Sequence, residues 1–136
     1  MKTLLPVIVA TLALFSPLQA ASTNPLLDAA AQVSEALASD NFPEAKADAS
    51  KLAAAATAAH DSNIAQSATK VAAATSLEQA RNAYKSVGAQ TADLAHGVSG
   101  YTVFSCGMAD AKWVQKGTAV HNPYFGKAML GCGAAE

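Results

Sequence analysis

Aromatic residues are scarce in this 136-residue chain, at 6%, and charged residues make up only 14%. There are two cysteines and five prolines, and only one long apolar run. Each scarcity excludes something. The formal net charge of -1 leaves no basic face to neutralise phosphates, which argues against nucleic-acid binding. Few charges and apolar residues throughout argue against disorder. A cysteine count of two rules out a disulfide-dense scaffold. No Gly-x-Ser-x-Gly, His-Glu-x-x-His, phosphate-binding loop or Cys-x-x-Cys occurs, so the usual signatures of hydrolases, zinc proteases, nucleotide enzymes and thiol oxidoreductases are missing. The expectation is a protein without catalytic activity.

What the chain has in abundance is alanine, with 34 residues. Alanine buries little area per residue, so a core built on it must be thin, with backbones in close approach. One domain is expected from the length.

The single apolar run comes first. Met1-Lys2-Thr3 carries a positive charge, Leu4 to Phe15 is uncharged and mostly apolar, and Ser16 to Ala21 turns small and polar. This is the layout of a secretory signal peptide, with cleavage expected after Ala20 or Ala21. Twelve helical residues reach about 18 Å, short of a hydrocarbon core of roughly 30 Å. The mature chain, residues 21–136, is therefore expected in the periplasm or outside the cell, with no permanent membrane span.

From Asn24 to about Gly97 the pattern predicts four helices. Asn24-Pro25 is a start signal, and Leu26, Ala30, Val33 and Leu37 mark one face. Phe42, Ala45, Ala49, Leu52, Ala56 and Ala59 keep steps of three and four. Ile64, Ala68, Val71 and Thr75 predict a shorter third helix. Thr75 and Glu78 have capping-box spacing ahead of a fourth, whose face runs from Leu77 through Tyr84 and Val87 to Val98. Gly88 weakens that helix by roughly 1 kcal/mol relative to alanine and predicts a kink. Short connections favour an up-down four-helix bundle over residues 21–98. His60 and His96 sit at helix ends, where an imidazole is favourable without any ligand.

Residues 99–136 differ in kind. Five of the eight aromatics, seven of the eight glycines counting from Gly97, both cysteines and both mature methionines collect there. Tyr101 to Phe104 and Lys112 to Gln115 have the make-up of short strands, which predicts a small irregular or β cap on one end of the bundle. Cys106-Gly107-Met108 and Met129-Leu130-Gly131-Cys132 each set a thiol and a thioether within three residues. Such soft donors select Cu(I) over hard cations. His121 is near enough in sequence to add an imidazole. A Cys106–Cys132 disulfide is the competing reading, since two cysteines in an exported chain commonly pair. Closing that loop stabilises by about 3–4 kcal/mol in the chain-entropy view.

The tail also resembles a known family. Tyr101-Thr102-Val103-Phe104-Ser105-Cys106-Gly107-Met108, Trp113-Val114-Gln115, Asn122-Pro123-Tyr124-Phe125-Gly126 and Met129-Leu130-Gly131-Cys132-Gly133 are similar to motifs of a bacterial exported domain of unknown function. That domain also occurs appended to periplasmic adaptor subunits of heavy-metal efflux systems. Its helical part is matched more loosely, around Ala36 to Phe42 and Leu77 to Arg81. The resemblance implies copper or silver handling, with Cu(I) or Ag(I) on Cys106, Met108, Met129 and Cys132 and an efflux adaptor or other metal-handling protein as partner. The chain departs from the family at Gly107, where proline is usual, and His121 has no counterpart there.

Overall fold

A computed structural model describes residues 23–136, so the signal-peptide reading of residues 1–20 lies outside the described residues. The chain is mainly helical, with a small antiparallel sheet following the helices. Helix α1 spans Pro25–Ala38, α2 Phe42–Ala58, α3 Ser62–Ala72 and α4 Leu77–Ala95. Strands β1 (Thr102–Cys106), β2 (Ala111–Gln115) and β3 (Ala134–Ala135) follow, with one 3-10 turn at Gly126–Ala128. The sheet order is β2-β1-β3, both pairings antiparallel.

Local chemistry explains the helix boundaries. Asn24 accepts the Leu27 N–H at 3.2 Å, and Pro25 fills the first turn, where its missing N–H costs nothing. At the other end of α1, Asp40 takes a left-handed backbone (φ 58°). Its N–H reaches Leu37 O at 3.2 Å, while Asn41 N–H reaches Ala36 O at 2.8 Å. These two bonds make a Schellman ending. Helix α2 ends the same way, with His60 (φ 59°) bonded to Thr57 O and Asp61 to Ala56 O. In both turns the residue that closes one helix caps the next. Asn41 accepts the Glu44 N–H at 3.4 Å and Asp61 the Ile64 N–H at 3.0 Å.

The start of α4 is shifted by one residue from the expected box. Ser76, not Thr75, accepts the Gln79 N–H at 3.1 Å, and Gln79 rather than Glu78 reaches back, to Thr75 N–H at 2.6 Å. Serine at the cap leaves Thr75 free to donate its own hydroxyl to Gln79 at 2.9 Å.

The predicted seams are buried where α1, α2 and α3 pack in sequence. Leu26, Ala30, Val33, Leu37, Ala45, Ala49, Leu52, Ala56, Ile64, Ala68 and Val71 are all core. Ala59 and Thr75 fall past the packed turns and are exposed, and Leu94 is 47% exposed. Leu94 is displaced because the buried face of α4 continues through Thr91, Ala92 and Ala95.

The sheet corrects one expectation. It does not sit on an end of the bundle; β2 lies against both α4 and α1. Tyr101 donates to Asp28 near the start of α1 at 2.6 Å, while Lys127 N–H meets Asp40 past its end at 3.4 Å. Helix α4 runs unbroken through Gly88, from Leu77 to Ala95. A Cβ at Gly88 would collide with the Lys112 carbonyl and the Tyr124 hydroxyl, so glycine is what admits β2 to the helix surface. Among the described residues, no helix is long and apolar enough to cross a membrane.

Candidate sulfur site

The strands bring aromatic rings together beneath the site. Phe104 and Trp113 face one another across β1 and β2 and stack with centroids 5.5 Å apart. Tyr124 meets Trp113 edge-on at 6.1 Å and Tyr84 of α4 at 5.8 Å. Trp113 is completely buried, so its indole N–H needs a partner. It donates to Gln115 Oε1 at 2.9 Å, an oxygen that also takes the His121 N–H at 3.2 Å. The Gln115 amide donates in turn to Ala119 O. Tryptophan and glutamine two apart on β2 are thus one satisfied polar unit inside the core.

Asn122 organises the segment that returns to β1. It is fully buried, accepts N–H groups from Tyr124 (2.8 Å) and Phe125 (3.2 Å), and donates to Cys132 O at 2.6 Å. Its backbone N–H reaches Leu130 O at 2.8 Å. One side chain therefore fixes both the turn and the carbonyl of the second cysteine. Arg81 of α4 ties the same turn to the helices, donating to Pro123 O at 2.9 Å, Leu37 O at 2.8 Å and Asp40 at 2.5 Å. Gly126 (φ +57°) packs against that Arg81–Asp40 pair, where a Cβ would clash.

This framework places the Cys106 and Cys132 sulfurs 2.8 Å apart, although they are 26 positions apart in the chain. No disulfide joins them in this structure; Cys106 is buried at 3% exposure and Cys132 only partly covered. Cys106 ends β1 and opens a tight turn closed by Asp110 N–H on Gly107 O at 3.2 Å. Burial opposes ionisation of Cys106. Hydrogen bonds from Cys132, from the Ala109 and Met108 N–H groups and from Asn122 outweigh it, and the thiol is held below its ordinary value. Cys132 is pushed the other way, first by its hydrogen bond to Cys106, then by burial and by the charge on that partner. The two thiols titrate as a pair, one step below and one above the ordinary thiol value.

The other predicted ligands are placed differently. Met108 is 69% exposed and Met129 39% exposed, so neither thioether is core packing. The His121 ring is held on α1, its Nδ1 2.9 Å from Glu35 Oε2. Among the described residues, no group of three or more His, Cys, Asp or Glu side chains is arranged to hold an ion. Any donors beyond the two cysteines would be thioethers or ligands from outside the chain. A cleft of about 370 Å³ opens beside Cys106, bordered by Lys85, Ala89, Ser105, Asp110 and Lys112. Lys85 closes part of its rim by donating to Ala109 O at 2.7 Å.

Two residues here had no role assigned from sequence. The Asn-Pro-Tyr motif marked a turn, but nothing local said that Asn122 would reach Cys132. Arg81 lay in a quoted run without a function, and its bonds span 41 to 44 positions. Comparison with protein-family models, with curated proteins and with solved structures returned no match to this chain.

Proposed function

We propose that the protein is a periplasmic, non-catalytic soft-metal binder. It takes Cu(I) or Ag(I) on Cys106 and Cys132 and either sequesters the ion or passes it to an efflux adaptor in metal resistance. The helices, in up-down order, serve as scaffold. One observation carries the reading: two sulfurs distant in sequence converge, while the thioethers two and three residues from them in the chain stay at the surface instead of joining the core. Thiolate and thioether are the donor types that favour Cu(I). Met108 and Met129 supply the further donors in this reading. His121 is left out of the set, because Glu35 already holds its ring.

The donor types fit such an ion, and the spacing sets a condition. With metal–thiolate bonds of about 2.3 Å, sulfurs on opposite sides of an ion stand well beyond 2.8 Å apart, so the pair must part on loading. Gly131 has open space around it, so room for that parting lies on the Gly131 side of Cys132, while Gly133 packs against Trp113 and the Ser105 carbonyl. Affinity falls as pH drops, because protons compete for the thiolates.

The test is a Cu(I) titration of reduced mature protein against a coloured chelator, alongside a count of free thiols by mass. Stoichiometric competition, lost in Cys106→Ser and weakened in Met129→Leu, supports the proposal. A protein that withholds no copper from the chelator when both thiols are free overturns it. The 2.8 Å separation favours a second reading, a disulfide-closed interaction module with no metal. Two oxidised cysteines in periplasmic protein, with no copper competition after reduction, would establish that one instead.

A further inference from the structure

The two sulfurs are not equivalent, and their difference has chemical direction. Cys106 is 3% exposed, at the end of a strand, and is followed by a tight turn closed by Asp110 N–H on Gly107 O. Cys132 is partly exposed, sits between Gly131 and Gly133, and belongs to a loop. A Cβ built at Gly131 would meet no atom within 4 Å, so the approach on that side is open. Although a cleft borders Cys106, so little of that residue is accessible that an incoming sulfur cannot align with it.

We propose that Cys106 and Cys132 form a polarised thiol–disulfide exchange centre, in which an external thiolate attacks Cys132 and Cys106 departs. Exchange requires attack in line with the bond being broken, so access selects the sulfur attacked, and its buried partner is the sulfur that leaves. Starting from the disulfide, a thiolate RS⁻ bonds to the Cys132 sulfur. The Cys106–Cys132 bond breaks, and its electron pair stays on Cys106 as a thiolate. A second RS⁻ then attacks the R sulfur of the mixed disulfide, releasing RSSR and the Cys132 thiolate. Two thiols are oxidised to one disulfide, the protein disulfide is reduced by two electrons, and the thiol protons pass to the two cysteines. Run backwards, a disulfide RSSR first captures Cys132, and Cys106 resolves the adduct by attacking it from 2.8 Å away. The co-reactant is any accessible thiol or its disulfide. The inference needs only the sulfur pair and is independent of metal binding, so failure of the copper titration leaves it standing.

The test uses native mature protein and glutathione as the probe. The protein is treated with oxidised glutathione, desalted, exposed briefly to limiting reduced glutathione, quenched in acid and mapped by peptide mass. The expected adduct lies on Cys132, in at least about tenfold excess over Cys106. In Cys106→Ser the adduct on Cys132 persists because nothing resolves it; in Cys132→Ser the remaining thiol is glutathionylated slowly. An even split, a majority on Cys106, or failure of the native protein to form the intramolecular disulfide overturns the proposal.

Discussion

Two small substitutions of opposite direction test how the backbone was read. Gly88→Ala improves helix propensity by about 1 kcal/mol but drives a methyl into the Lys112 carbonyl, which is backbone and cannot rotate aside. Overpacking of that kind costs about 1–3 kcal/mol, and a net loss of up to about 2 kcal/mol in urea denaturation is expected. His60→Gly removes a Cβ from an exposed left-handed position, φ 59°, whose side chain makes no hydrogen bond. It should stabilise by about 0.5–1 kcal/mol in the same measurement. The equivalent change at Asp40 should not, because its carboxylate holds Arg81. The convergence of Cys106 and Cys132 was legible in the sequence, because two cysteines in one chain invite pairing. Asn122 and Arg81 were not, because a buried amide or a guanidinium writes its partners in three dimensions only.

At the level of elements, the helices were legible and the placement of the sheet was not. Apolar steps of three and four reveal which face of α1 or α3 is buried, since leucine, isoleucine and valine stand out against alanine and polar neighbours. They do not reveal which helix receives a strand. The signal was Gly88, which reads equally as a weak point and as a place for close approach. The sheet is fastened to the helices partly by charge, and that fastening is sensitive to acid. Asp28 lies below its ordinary value of 3.8 because Lys116 and Tyr101 donate to it; Asp40 does so because of Arg81. A folded-state value below the unfolded one gives stability that is present above 3.8 and lost as pH falls through the folded values. Melting temperature should therefore hold above about pH 5 and drop below about pH 4, with a shallower acid limb in Asp28→Asn.

For the whole molecule, the question is whether the tail is an appendage or part of one cooperative unit. Trp113, on β2, has no exposed surface, and its strand touches both α1 and α4. Unfolding followed by Trp113 fluorescence should coincide with loss of helix by far-UV circular dichroism, in both midpoint and slope. A tryptophan transition that precedes loss of the helical signal would instead mark the sheet as separately stable.

The two Schellman turns carry a consequence for how the chain tolerates change in length. Asn41 and Asp61 each finish one helix and begin the next, so neither turn holds a spare residue. An insertion beside either one separates two duties now held by a single backbone position. It would also rotate every following helical face by about 100° unless the added residue is looped out. Where most small proteins vary in length at their connections, this one is rigid in its joints, and natural variants should accept extra residues in the exposed Lys116–Thr118 stretch before they accept one at position 41 or 61.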